Sequence, residues 1–160
     1  MAIDDAPNSP SSRLRAAQIE LPEPHEPVAS FVNHRQIGNL LFISGQGPRE
    51  ASGDCHAGRV GEGVSVAEAR SHARLAGINL ISVAQQALGD LGRVEAVIKV
   101  FGMVNAVPGF ADHPKVIDGC SELLIEIFGA AGRHSRSAIG VGSLPNNFTV
   151  EIEAVLAIRT

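Results

Sequence analysis

Two residues near the C-terminal end carry charge where a sheet would display it. Arg136 opens a short extended run, Ser137-Ala138-Ile139-Gly140-Val141, and Glu151 lies inside a longer one. In the longer run Phe148, Val150, Ile152 and Ala154 alternate with Thr149, Glu151, Glu153 and Val155, the two-residue period of a strand with one face in the core. Between the runs, Leu144-Pro145-Asn146-Asn147 is turn chemistry, because proline fixes φ and asparagine tolerates left-handed backbone. An arginine at a strand mouth with a glutamate one strand over makes either an acid-binding site with a proton donor beside it or a structural ion pair. The two residues alone leave both readings open.

Other chemistries find less support. The six histidines are dispersed, with no H-x-x-x-H or H-x-H pair, and Asp54-Cys55-His56 falls in a polar loop, so no metal site is expected. Gly45-x-Gly47 follows a strand but runs into Pro48, and Gly58 to Gly63 precedes a helix without following a strand; neither has the context of a dinucleotide fingerprint or a P-loop. No serine sits in a nucleophile elbow, Cys120 falls on a buried helical stripe, and Glu151 and Glu153 share one strand face instead of opposing one another. With no Trp, no Tyr, six Phe and a net charge of −4 spread over scattered basic residues, no nucleic-acid partner is expected. No apolar run is long enough to span a bilayer and no signal peptide is visible, so no membrane partner is expected. Two distant cysteines fit a reducing, cytoplasmic compartment.

The elements that must position Arg136 and Glu151 are legible in order. Residues 1–27 are rich in Pro, Ser, Glu and Asp and are expected to form an arm whose first dozen residues are mobile, anchored by Leu14, Ile19 and Leu21. The folded domain is expected over residues 28–160. Gly38-Asn39 between two extended runs signals a hairpin, and the second run ends at Ser44-Gly45-Gln46-Gly47-Pro48 before a polar, Gly-rich loop from Glu50 to Gly63. Ser65-Val66-Ala67-Glu68 is a capping box opening a helix whose inner face carries small residues (Ala69, Ala73, Ala76) and which Gly89 terminates. A strand follows over Val94–Val104, then a helix that starts at His113-Pro114, buries Val116, Ile117, Cys120, Leu123, Leu124, Ile127 and Phe128, and stops at Gly129. The order β-β-α-β-α-β-β places both helices on one face of a mixed sheet. The strand at Val94–Val104 is apolar in both alternating sets, so the uncovered face is expected to be buried against other subunits.

Taken together, Gly38-Asn39-Leu40-Leu41-Phe42-Ile43-Ser44-Gly45-Gln46, Ser135-Arg136-Ser137, Leu144-Pro145 and Glu151-Ile152-Glu153-Ala154, in this order over about residues 28 to 158, resemble the RidA/YjgF family, whose members also carry the designation L-PSP endoribonuclease. Gly58-Arg59-Val60-Gly61 and Gly132-Arg133-His134 are more similar to a divergent branch than to archetypal RidA. The resemblance implies an α+β, chorismate-mutase-like fold and a homotrimer with clefts at its subunit interfaces. It also implies hydrolysis of reactive enamines or imines to 2-keto acids and ammonia without metal or cofactor. Carried over by position, Arg136 matches the arginine that grips the substrate carboxylate and Glu151 the glutamate that positions water or relays a proton. Ser44 and Gly45 match the strand end whose backbone approaches the ligand. Phe31 stands where many members have Tyr, Ala138 where archetypes have Cys, and Asp118 where archetypes have Asn; an Asp there can compete for Arg136. The alternatives implied are a deaminase of a ring-opened, aminomuconate-like acid and a non-catalytic trimer binding a small carboxylate, with ribonuclease activity behind them.

Overall fold

The computed structural model describes residues 6–160, so the expectation of mobility at residues 1–5 lies outside the described residues. The Gly38-Asn39 signal closes a hairpin between β1 (His34–Ile37) and β2 (Leu40–Gln46), with Ile37 opposite Leu40. The capping box forms in both directions: the Glu68 amide donates to Ser65 Oγ at 3.2 Å, and the Ser65 amide donates to the Glu68 carboxylate at 2.8 Å. This opens a helix, Val66–Leu88, which ends where Gly89 turns left-handed at φ 72°. A strand over Val94–Asn105, a helix over His113–Phe128 with Pro114 in its first turn, a strand over Ser135–Val141 and a strand over Val150–Ile158 follow.

Two features have no counterpart in the expected order. A seven-residue helix, α1 (Pro10–Ala16), lies inside the arm; Ser9 caps it by accepting from the Ser12 amide at 3.1 Å, and Leu14 buries against the core. The same Ser-Pro composition that reads as unstructured also spells an N-cap followed by proline at the first helical position. Within the polar loop, Arg59–Val60 and Gly63–Val64 form a minimal pair, β3 and β4. The longer elements are therefore α2 (Val66–Leu88), β5 (Val94–Asn105), α3 (His113–Phe128), β6 (Ser135–Val141) and β7 (Val150–Ile158).

Among the described residues the main sheet runs β1-β2-β7-β5-β6, antiparallel throughout except for β5 with β6. The last strand in the chain is thus the middle strand of the sheet, and Glu151 is its second residue, near the end where that strand enters the sheet. Both helices cover one face of this mixed sheet, the α+β arrangement expected, and Leu41, Leu80, Val100, Ile117, Leu123 and Ile152 are fully or almost fully buried between them. The helices approach closely. A Cβ on Gly119 would run into the Arg70 carbonyl, so small residues seat the two helices on each other as well as on the sheet. The opposite face leaves Phe42, Ile98 and Ile139 each about two-fifths exposed (41, 41 and 42 %). Among the described residues no helix is long and apolar enough to cross a membrane.

Candidate functional site

The strand register decides which site residues can meet. Arg136 pairs across β5 with Val100 and through it with Ala154, whereas Glu151 pairs with Met103 and through it with Ile139. The two positions are an odd number of residues apart in that register, so their side chains leave the sheet on opposite faces. Arg136 points to the helices. Its Nη1 donates to Asp118 Oδ1 at 2.8 Å and to Ser121 Oγ at 2.9 Å, and its Nη2 donates to the Pro114 carbonyl at 3.3 Å. His134 extends this network: its Nδ1 lies 2.6 Å from the Gly132 carbonyl and its Nε2 2.9 Å from Ser121 Oγ. Burial, together with the Arg136 charge, lowers the His134 pKa and favours the neutral ring, with Nδ1–H donating and Nε2 accepting. Ala138 packs against the core on the same strand.

Glu151 stands on the other face. A register irregularity between Ile43 and Gln46 marks a bulge at the end of β2, where Gly45 lies against Glu151. A Cβ at position 45 would meet Oε1 and would lie 3.0 Å from both Cγ and Cδ of that side chain. Glycine here leaves the room in which the carboxyl sits. Burial, with the neighbouring Glu153 charge second, raises the Glu151 pKa above the ordinary carboxylate value. Glu151 lines a cleft of about 330 Å³ together with Gly45, Phe31, Arg49, Asn79 and Phe148, and the arm from His25 to Ala29 forms its outer wall. Ser44 holds the segment leading into β1 and does not line the cleft itself: its amide donates to the Asn33 carbonyl at 2.9 Å and its hydroxyl to the Val32 carbonyl at 2.7 Å.

One chain therefore sorts the seven candidate residues into separate groups. Phe31, Gly45 and Glu151 meet in the cleft, with Ser44 pinning its rim. Arg136, Asp118 and Ala138 lie on the helix side. Asp118 and Arg136 form a direct ion pair.

Sequence reasoning passed over His25, Arg49, Asn79 and Phe148 as cleft residues. Asn79 carried a signal, since it falls three residues after Ala76 and four before Val83 on the buried stripe of α2, where a polar side chain needs a partner. Cys120 is a core residue, its thiol pushed up to about 12 by burial. The structure also brings together two histidines far apart in the chain: the rings of His56 and His72 stack 4.3 Å apart, bonded outward to Glu50 and Thr149. Among the described residues no group of three or more His, Cys, Asp or Glu stands where it can hold a metal ion.

Comparison with known proteins gives a consistent picture. The family model for YjgF/chorismate mutase-like proteins, which carries an endoribonuclease designation, matches residues 11–154. The chain is 36% identical to protein TCP17 of Trypanosoma cruzi, covering 93% of this chain and 94% of that one. It is 28% identical over 142 residues to the 2-iminobutanoate/2-iminopropanoate deaminase of Dermatophagoides farinae, 88% and 95% of the respective lengths. A crystal structure from Shewanella oneidensis MR-1, also designated an endoribonuclease, superposes with a TM-score of 0.90 at 35% identity, covering 94% of this chain and 99% of that one.

Proposed function

We propose that this chain, which belongs to the YjgF/chorismate mutase-like family, hydrolyses reactive 2-imino and 2-enamino acids to 2-keto acids and ammonia. The observation that carries this reading is Glu151: a carboxyl with a raised pKa, held against a glycine in a cleft of small-molecule size. The deaminase from Dermatophagoides farinae, alike over most of both chains, supports the reaction class.

In this mechanism protonated Glu151 gives its proton to the substrate, to the carbon of an enamine or the nitrogen of an imine. The resulting iminium carbon takes the oxygen of water while the ionised Glu151 accepts the proton that water loses. Glu151, protonated again, then gives that proton to the amino group of the tetrahedral adduct; the C–N bond breaks, its electron pair leaves with nitrogen as ammonia, and the hydroxyl returns its proton to Glu151 as the C=O bond forms. No redox step is involved. The resemblance gives Arg136 the substrate carboxylate, and bidentate binding suits its planar fork. Since Arg136 and Glu151 leave opposite faces of one sheet, that assignment requires a neighbouring copy to complete the cleft. The exposed Phe42, Ile98 and Ile139 on the Glu151 side supply the apolar face such a homotrimer would bury. The two cysteines, both free, fit a reducing cytoplasmic setting.

The test is a coupled assay in which a pyridoxal-phosphate-dependent serine or threonine dehydratase generates the imine. The protein should accelerate release of the keto acid over buffer; absence of acceleration for every amino acid tried would refute the proposal. RNA cleavage, the second reading, rests on the family and Shewanella designations alone. It gains ground only if cleavage by homogeneous protein survives Arg136→Ala and Glu151→Gln.

A further inference from the structure

Arg49, on the chain that leaves β2, is half-buried in the wall of the cleft that Glu151 lines. Its guanidinium carbon lies over the Phe148 ring, 5.6 Å from its centre, within cation–π distance. Its side chain makes a long contact, 3.5 Å from Nη1 to the Gly53 carbonyl. No carboxylate of the described residues comes within ion-pair distance of it, whereas Arg59, Arg70, Arg74 and Arg136 each have one. A guanidinium carries five donors and remains charged at physiological pH, so most of this donor set is uncommitted. A partly buried cation without an anion is an expensive arrangement unless a ligand supplies the anion.

The position is also built. Asn79 of α2, only 4% exposed, donates through Nδ2 to the carbonyls of Gly47 at 3.0 Å and Arg49 at 2.9 Å, fixing the backbone on both sides of Pro48. Arg49 bridges Cys55 across the loop, and the Thr149 amide ties the loop's far end to the entry of β7 through the His56 carbonyl at 3.3 Å. A freely solvated surface arginine gains nothing from a buried amide that clamps its own carbonyl. In the same cleft, Nε2 of His25 is buried without a hydrogen-bond partner. Burial first, and the Arg49 charge second, lower its pKa, so the ring brings a hydrogen-bonding group and not a second charge.

We propose that Arg49 binds a carboxylate of the ligand in the Glu151 cleft, so that a single chain supplies both an anion holder and the acid. The proposal rests on that cleft being the reaction site. The bound group is either the 2-carboxylate of the substrate or the distal carboxylate of a dicarboxylic one, and the same experiment separates the two.

The experiment measures binding of two stable 2-keto acids, 2-ketobutyrate and 2-ketoglutarate, by calorimetry to the wild type, Arg49→Ala, Arg49→Lys and Arg74→Ala, with thermal unfolding as the folding control. Removing a charge-assisted bond should weaken binding about ten- to hundredfold in Arg49→Ala. Arg49→Lys, which keeps the charge but loses the planar fork, should fall between, and it keeps the proposal testable if the alanine variant fails to fold. Arg74→Ala, a change outside the cleft, should bind as the wild type does. Loss for both acids identifies the 2-carboxylate as the group held; loss confined to 2-ketoglutarate identifies the distal one. Wild-type affinity in both Arg49 variants overturns the proposal, as does failure of the wild type to bind either acid. Arg49-dependent binding with no turnover of any imino acid would sustain this assignment while sinking the deaminase reading. Turnover with Arg49-independent binding would do the reverse.

Discussion

Gly45→Ala offers the sharpest perturbation of the Glu151 cleft, because it adds one methyl group and removes nothing. The new Cβ would lie 3.0 Å from Cγ and Cδ of Glu151 and would meet Oε1 as well. Ordinary contact needs about 3.5–4.0 Å between heavy atoms, so the carboxyl must retreat by about 0.5–1 Å. The atoms that move are the end of a flexible side chain and not backbone, and position 45 does not have the positive φ that would strain an alanine. Stability should therefore change by less than about 1 kcal/mol, which for a chain of this size is a shift in Tm of about 4 °C or less. Catalysis is less forgiving. A misplacement of about 1 Å in a reacting group can slow a reaction about a hundredfold, equivalent to about 2.7 kcal/mol of barrier. The dehydratase-coupled assay should show that loss in kcat/KM with the fold intact. Because the methyl group acts through Glu151, it should cost almost nothing further in a Glu151→Gln background. Activity within threefold of the wild type, or an undiminished cost in the double variant, would refute the placement of Glu151 as the acid.

Glu151→Gln itself should reduce turnover by about 10²–10⁴-fold, the usual contribution of a general acid, and yet raise Tm at pH 8. The folded-state pKa is raised, so stability is lost as pH climbs from the ordinary carboxylate value through the folded one; the glutamine escapes that penalty, and the advantage should vanish near pH 4. His134 works in the other direction: its folded pKa is lowered, so the stability it contributes is present above its unfolded value near 6.5. That stability falls as pH drops toward the folded value, and thermal melts between pH 8 and 5 should show a steeper loss for the wild type than for His134→Gln. Asp118→Asn removes the charge that neutralises Arg136 at 2.8 Å while leaving the Ser121 contact. Stability should fall by about 1 kcal/mol or less for so exposed a carboxylate, and if Arg136 holds substrate its KM should fall as well. Gly119→Ala forces a methyl group into the Arg70 carbonyl between α2 and α3; overpacking of about 1–3 kcal/mol should lower Tm by about 3–10 °C without altering the cleft.

Most of the frame could be read from residues before any coordinates. The capping box at Ser65 and Glu68, the hairpin at Gly38-Asn39, the glycine stops at Gly89 and Gly129 and the alternation along Val150–Ile158 are all local signals, set by neighbours a few residues away. What escaped depends on contacts distant in sequence. Arg49, just ahead of the polar loop, carries no local signal; what sets it apart is the bond its carbonyl accepts from Asn79, thirty residues on. Composition predicts an arm lying over the body with Leu14, Ile19 and Leu21 as anchors, and these three do bury or pack against the core, but it signals neither α1 nor the place that residues 25–29 take in the cleft wall. Composition reports how much apolar surface a segment can bury, and a few residues such as Leu14 and Leu21 are enough to hold an arm in place.

The pairing of Arg136 with Glu151 illustrates why motif and geometry must be kept apart. Each lies on a strand whose own alternation is plain, but β6 and β7 are not neighbours; β5 runs between them, parallel to one and antiparallel to the other. Their relative facing is set by two registers, neither of which sequence displays, and a slip of one residue in either would have put both side chains on one face. The actual registers send Arg136 toward Asp118 and Ser121 beneath α3 and send Glu151 to the face that also exposes Ile139. A single chain thus has Glu151 and Arg136 on opposite sides of the sheet, and it has another cation, Arg49, in the cleft that Glu151 lines. If the intact assembly is trimeric, the first separation is bridged by a neighbour and the cleft holds two cations, the arrangement suited to a dicarboxylic substrate. If a monomer proves fully active, Arg49 alone must hold the carboxylate. Sedimentation velocity on the active species, read beside the two-acid binding series, decides between these.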